Sequence, residues 1–287
     1  MIFAVAGATG RTGRCVAETL LARGAKVRVI LRSTAEVATW RARGAEVAVA
    51  ELGDAFALTR ALAGASGAYL LVPPHFTTPN QREYQDGLAR TFARAVTESG
   101  VAHVVLLSGF AAHHDRANGP LAGLHHAEAL LGAVPTLRLS AIRAGYFHEN
   151  VIPFLGHIKD TGVLPSLFPA HLRIPMVATA DVGPLAAELL LDPTAHGPIE
   201  LGSGISHAEI ARALEIIVAR PIRVDEIALE AIAPMLTSLG FTADLAALYV
   251  EMVAGIRSGA LVFEGGHRRV EAGTTMESVL RPLFAGE

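Results

Sequence analysis

The chain has 287 residues, 51% of them hydrophobic, with 24 Lys and Arg against 27 Asp and Glu and a formal charge of −3. That is enough for one large domain or a domain with a smaller lobe, and neither the near-even charge balance nor any long basic run points to a nucleic-acid partner. The single cysteine, Cys15, excludes an internal disulfide and a cysteine-based zinc site, and no apolar run reaches the roughly 18 residues of a membrane span, so a soluble cytoplasmic protein is expected.

Residues 2–6, IFAVA, form a short, partly β-branched apolar run that reads as a buried strand. Gly7, Gly10 and Gly13 follow three apart, and Val16, Leu20 and Leu21 then recur at helical spacing as far as Arg23 and Gly24. Glycines joining a strand to a helix suit a turn in which Gly7 takes a conformation closed to other residues and Gly10 lets backbone approach a ligand. Such turns need glycine whether or not a ligand binds. Here residues 25–31, AKVRVIL, supply a second strand, and strand, helix and strand make a unit of the dinucleotide-binding kind, with a pyrophosphate on the unpaired N–H groups of the helix start.

In such units a carboxylate after the second strand accepts from a free ribose 2′-hydroxyl. This chain places Arg32 and Ser33 there. A guanidinium can hold a 2′-phosphate through two charge-assisted bonds where a carboxylate would repel it, and Arg11 can assist from the turn. NADP(H) is therefore expected in preference to NAD(H).

Further strands are expected at 45–49, 67–72, 103–107 and 136–142, with helices near 34–43, 54–63, 81–99 and 121–132. This alternation predicts an α/β fold, a doubly wound Rossmann-type parallel sheet. Val72 and Pro73 end one strand where a cofactor cleft would open, although proline also ends strands for structural reasons. Asp54 can border the adenine or simply cap the next helix. From about residue 145 the rhythm breaks, with prolines at 153, 165, 169 and 175, and helical patterns return near 181–191, 206–219, 228–238, 242–257 and 274–284. Residues 1–145 are expected to bind NAD(P) and residues 146–287 to form a small C-terminal α+β lobe, interleaved with the sheet, that shapes a substrate pocket.

A short-chain dehydrogenase of the common type uses a tyrosine with a lysine four residues on. Tyr69, Tyr84, Tyr146 and Tyr249 are followed at that distance by Pro73, Leu88, Asn150 and Val253, and the only lysines are Lys26 and Lys159. Near the expected site stand Ser108 and Gly109, then GLHHAEALL at 123–131, where His125 or His126 can supply or relay a proton; one packed and one exposed histidine is the plainer reading of the pair. Adjacent histidines do not share a helix face, and His125 and Glu128 lack a third ligand, so no metal site is expected.

GATGRTG, followed by ILRS and by IRAGYFHEN at 142–150, resembles the NmrA-like group of atypical short-chain dehydrogenase/reductases, and especially its NADPH-dependent quinone oxidoreductase branch. The resemblance spans most of the chain. It implies that Gly7, Thr9, Gly10, Arg11, Thr12 and Gly13 hold the pyrophosphate, that Arg32 meets the 2′-phosphate, and that Gly145, Tyr146 and Asn150 border the nicotinamide and substrate, with Tyr146 a catalytic candidate beside the histidines. No lysine stands at 121–132 where relatives of the isoflavone-reductase kind carry one. The implied activity is NADPH-dependent reduction of quinones or similar planar acceptors, which needs little acid from the protein. The alternatives are an NmrA-like redox sensor that binds NAD(P) without turnover, and an epimerase-like or reductase enzyme acting on a specific metabolite. The expected partners are a small-molecule electron acceptor, a second copy of the chain in a homodimer and, on the regulatory reading, a partner protein; neither nucleic acid nor membrane is expected.

Overall fold

The computed structural model describes residues 1–285. Strands and helices alternate in its first half as β1 (Ile2–Ala6), α1 (Arg11–Ala22), β2 (Lys26–Leu31), α2 (Val37–Ala42), β3 (Glu46–Val49), α3 (Ala55–Leu62), β4 (Gly67–Leu71), α4 (Gln81–Ser99), β5 (His103–Gly109), α5 (Ala122–Gly132) and β6 (Arg138–Ala144). The strands pair in parallel in the order β3-β2-β1-β4-β5-β6. Strand order reverses between β1 and β4, and ligands of open α/β sheets bind beyond the carboxyl ends at such a point.

Both faces of the sheet are covered, which is why its strands read as continuous apolar runs. Within β1, Phe3 and Val5 pack with Val16 and Leu20 of α1, while Ala4 and Ala6 pack with Leu58, Leu88 and Phe92 on the opposite face, as the two-residue period of a strand requires. Local signals set the helix ends. Asn80 caps α4 by accepting from the Glu83 N–H at 2.9 Å, and Gly100 closes it at φ 69°. β6 starts two residues later than expected because Thr136 adopts φ 66°, a turn conformation that no strand continues through.

The second half contains β7 (Tyr146–Phe147), α6 (Leu155–Thr161), β8 (Val163–Ser166), β9 (Ile174–Val177), α7 (Thr179–Leu191), β10 (Gly197–Leu201), β11 (Ser203–Ile205), α8 (His207–Val218), β12 (Arg223–Glu226), α9 (Leu229–Ser238), α10 (Ala243–Arg257), β13 (Arg268–Val270) and α11 (Met276–Ala285). β10 pairs with β6 and β13 with β10, both parallel, extending the central sheet to eight strands. α7 lies on α1 where Gly183 meets Cys15, whose thiol donates to the Ala180 carbonyl at 3.3 Å. The proline-punctuated stretch also holds short strands: β11-β9-β7 and β12-β8 form two small sheets. These surround a separate apolar cluster that includes Phe168, Ile210, Leu214, Ile232 and Val253.

Two buried imidazoles make the fold sensitive to acid. His103 lies 3.1 Å from the Ser140 hydroxyl, and burial pushes its pKa down to about 4; burial likewise takes His207 down to about 4. An unfolded chain takes up these protons near pH 6.5, well before the folded chain does, so stability is expected to fall as the pH drops from about 6.5 towards 4. Melting curves at pH 7.5 and 5 check this, and equal melting temperatures would contradict it.

Candidate functional site

The three glycines of the β1–α1 turn serve different physical needs. Gly7 sits at φ 68°, and a Cβ there would also come within 2.7 Å of the Leu71 side chain. A Cβ on Gly13 would press into the carbonyl oxygens of Ala6 and Gly7, so only glycine lets α1 approach β1 so closely. A Cβ on Gly10 would meet nothing nearer than the Gly7 carbonyl oxygen at 3.4 Å; its bare face therefore fronts open space at the start of α1. Thr9, Gly10 and Arg11 are exposed and Thr12 is buried. α1 starts without a side-chain cap and without an acidic residue in its first turn, leaving N–H donors and the positive end of the helix dipole available. A tight turn, a face open to close approach and a tight helix-to-strand contact are the demands of a bound pyrophosphate.

Arg32 is exposed one residue beyond β2 and forms no ion pair among the described residues. Its nearest carboxylate competitor in sequence, Glu36, is taken by Arg14 at 2.9 Å. Beyond β4, Val72 and Pro73 are half-buried, and the Tyr84 hydroxyl donates to the Pro73 carbonyl at 3.2 Å, fixing the loop. Asp54 is exposed, and its carboxylate accepts from the Ala57 N–H at 3.0 Å, which makes it the N-cap of α3.

At the carboxyl ends of β5 and β6, the neighbours Ser108 and Arg143 both engage Glu128 of α5. The Ser108 hydroxyl donates to one Glu128 oxygen at 2.5 Å, and the Arg143 guanidinium donates to both oxygens, the shortest bond being 2.7 Å. Arg143 also pairs with Glu264. Burial opposes the Arg143 charge, but the bonds and proximity to Glu128 and then Glu264 more than offset it and hold its pKa above the usual value. The Arg143 side chain is only 8% exposed, so Arg143→Leu leaves a buried carboxylate unpaired and is expected to cost about 3–5 kcal/mol of stability. Urea unfolding measures this. The double variant Arg143→Leu with Glu128→Leu is expected to recover much of the loss, and no recovery would contradict the pairing.

The segment after β6 carries Gly145, Tyr146 and Asn150. A Cβ on Gly145 would stand 2.7 Å from the Pro175 backbone, so this position permits β7 to lie against β9. Glu149 binds the Thr179 N–H at 2.9 Å and also its hydroxyl, tying the segment to the start of α7. Tyr146 and Asn150 line an internal cavity of about 30 Å³ together with His148, Phe168 and His207. Burial, then Tyr249, drives the Tyr146 phenol pKa up, with Asn150 acting in the opposite direction; the phenol is a hydrogen-bond donor at neutral pH.

The two candidate histidines lie elsewhere. His125 Nδ1 donates to the Ala112 carbonyl at 2.8 Å, and His126 Nδ1 stands 2.7 Å from the Asp86 carboxylate. Both line a separate cleft of about 460 Å³, with Arg82, Asp115 and Glu251 on its walls, that does not include Tyr146. Among the described residues no three His, Cys, Asp or Glu side chains gather as metal ligands would. Sequence reasoning missed His148, Glu149, Arg143 and His207. For the first three the signal was present within IRAGYFHEN, but nothing local marks which of its side chains point inward.

Residues 2–252 match the NmrA-like family, and the chain belongs to that family. Among its relatives, an NAD(P)H azoreductase of Xenophilus azovorans is 24% identical over 255 residues, covering 87% of this chain and 85% of the relative. A (4-alkanoyl-5-oxo-2,5-dihydrofuran-3-yl)methyl phosphate reductase of Streptomyces griseus is 27% identical over 230 residues, covering 79% and 77%. Among solved structures, the Escherichia coli NADPH-dependent quinone oxidoreductase QOR2 complexed with NADPH superposes with a TM-score of 0.82 at 23% identity, covering 99% of this chain and 100% of that one. That likeness covers the second half of the fold as well as the first.

Proposed function

We propose that this protein is an NADP(H)-dependent oxidoreductase that reduces a quinone or a similar planar acceptor. The observation that carries the reading is the β1–α1 turn, whose Gly10 face is open, with Arg32 rather than a carboxylate beyond β2. Relatives named as an NAD(P)H azoreductase and an NADPH-dependent quinone oxidoreductase support it.

On this reading the turn from Gly7 to Gly13 binds the pyrophosphate through backbone N–H groups, and Arg32, aided by Arg11, holds the 2′-phosphate. Asp54, Val72, Pro73 and Ser108 border the cleft, and Gly145, Tyr146 and Asn150 face the reacting end. The bound nicotinamide supplies the hydride. The acceptor also needs one proton, which water can give to a reduced quinone, so no strongly acidic side chain is required. That fits the chain: a phenol with a raised pKa and no lysine four residues on cannot do the work of a tyrosine–lysine pair.

The test is loss of reduced-nicotinamide absorbance when 1,4-naphthoquinone is added to protein and NADPH. Rapid loss is expected. No loss with several quinones and azo compounds would favour the second reading, a dinucleotide-binding regulator with a protein partner. The small Tyr146 cavity, too narrow at about 30 Å³ for a whole ring, is the observation on that side.

A further inference from the structure

Arg32 stands on a loop with few attachments of its own. Residues 32–35 are all exposed, and among the described residues the side chains of Arg32, Ser33 and Thr34 have no hydrogen-bond partner. What fixes the loop lies at its far end. The Arg14 guanidinium donates to the Glu36 carboxylate at 2.9 Å, the Val37 N–H donates to the Thr34 carbonyl at 3.2 Å, and the Trp40 N–H donates to the Glu36 carbonyl at 3.0 Å.

Trp40 is fully buried. The guanidinium groups of Arg14 and Arg43 lie 5.8 Å and 5.1 Å from the centre of its ring, and Arg43 pairs in turn with Glu18 of α1. Two ion pairs with an indole between them therefore stitch α2 and the loop before it to α1.

Position gives the first pair its consequence. Arg14 is the fourth residue of α1, one turn from the glycines that front the pyrophosphate, and helical side chains lean back towards the N-terminus. Glu36 lies four residues beyond Arg32. One contact thus joins the element for the pyrophosphate to the element for the 2′-phosphate. The head of Arg32 lies within electrostatic reach of the β4 loop: burial raises the Tyr84 phenol pKa, the Arg32 charge opposes that rise, and the same hydroxyl is bonded to the Pro73 carbonyl. With side chains 34% and 31% exposed, the pair adds little to stability; what it does is hold the loop in one place.

We infer that Arg14 and Glu36 are positioning residues for NADP(H) selectivity, their ion pair holding the loop at 32–36 so that Arg32 meets the 2′-phosphate without first being ordered. A loop fixed beforehand has less conformational freedom to lose when the nucleotide binds. The inference rests on the reading of Arg32 given above.

The experiment measures the Kd of NADPH and of NADH by fluorescence titration in the unmodified protein, in Arg14→Met and Glu36→Gln, and in each of these combined with Arg32→Ala. Both single variants are expected to weaken NADPH about threefold to fivefold, the upper range for a half-exposed ion pair, and to change NADH less than about twofold. On the Arg32→Ala background neither is expected to weaken NADPH further, because the pair acts through Arg32. Arg14→Lys, which keeps the pair, is expected to retain most of the affinity. Glu36→Gln separates positioning from charge alone, since removing a carboxylate near a bound phosphate would by itself tighten NADPH. Tighter or unchanged NADPH binding in Glu36→Gln would overturn the inference, as would equal losses for both nucleotides in the single variants. A loss confined to NADPH in Arg32→Ala, with unchanged single variants, would overturn the role of the pair and leave Arg32 in place. Equal losses for both nucleotides in Arg32→Ala would overturn the reading of Arg32 itself, and the role of the pair with it.

Discussion

Replacing Arg32 with alanine is expected to weaken NADPH binding by roughly tenfold to a hundredfold while changing NADH binding less than about twofold. The two nucleotides differ only in the 2′-phosphate, and hydrogen bonds to a charged partner contribute about 1.5–3 kcal/mol. Arg32 stands beyond β2, exposed and outside the ion pairs of its neighbours, so it needs no rearrangement to reach the phosphate. Exposure also means that salt screens the interaction, and the difference between the nucleotides is expected to shrink at high ionic strength. Fluorescence titrations of both nucleotides against both proteins read this directly. Equal losses for NADPH and NADH would remove Arg32 from the 2′-phosphate.

The second large effect concerns Gly13. In Gly13→Ala the new methyl group would meet the carbonyl oxygens of Ala6 and Gly7, which are backbone atoms and cannot rotate aside. α1 must lift from β1, and it carries Val16, Ala17 and Leu20 in the core while packing on α7. The expected loss is about 3 kcal/mol or more, the upper end for overpacking, together with loss of NADPH binding. Gly24→Ala is the control. Gly24 has φ 75° but nothing within 4 Å of its added Cβ, so only the left-handed backbone opposes the substitution, at about 1–2 kcal/mol. Urea unfolding of the two variants separates them, and a Gly13→Ala protein as stable as the Gly24→Ala protein would contradict the close contact.

These two positions were readable in the sequence because they belong to local patterns. Strand, glycine turn, helix and strand lie within the first 31 residues, and the later βα repeats of the first half announce themselves by apolar runs, with side-chain caps at Asp54 and Asn80 opening α3 and α4. What did not show was long-range. β10 is five residues long and β13 three, and both join the central sheet from the second half of the chain. Nothing local marks Arg143, since its partners Glu128 and Glu264 lie 15 and 121 positions away. The paired histidines of α5 stood out in sequence but face the outer cleft, whereas His148 and His207, 59 positions apart by their numbers, meet at one cavity through tertiary packing alone.

The β1–α1 turn and Arg32 are expected to form an NADP(H) site. A fluorescence titration of the purified protein with NADPH and then NADH tests it most directly. The expected result is saturable binding of both, with NADPH at least about tenfold tighter. Absence of binding, or NADH bound as tightly as NADPH, would contradict it.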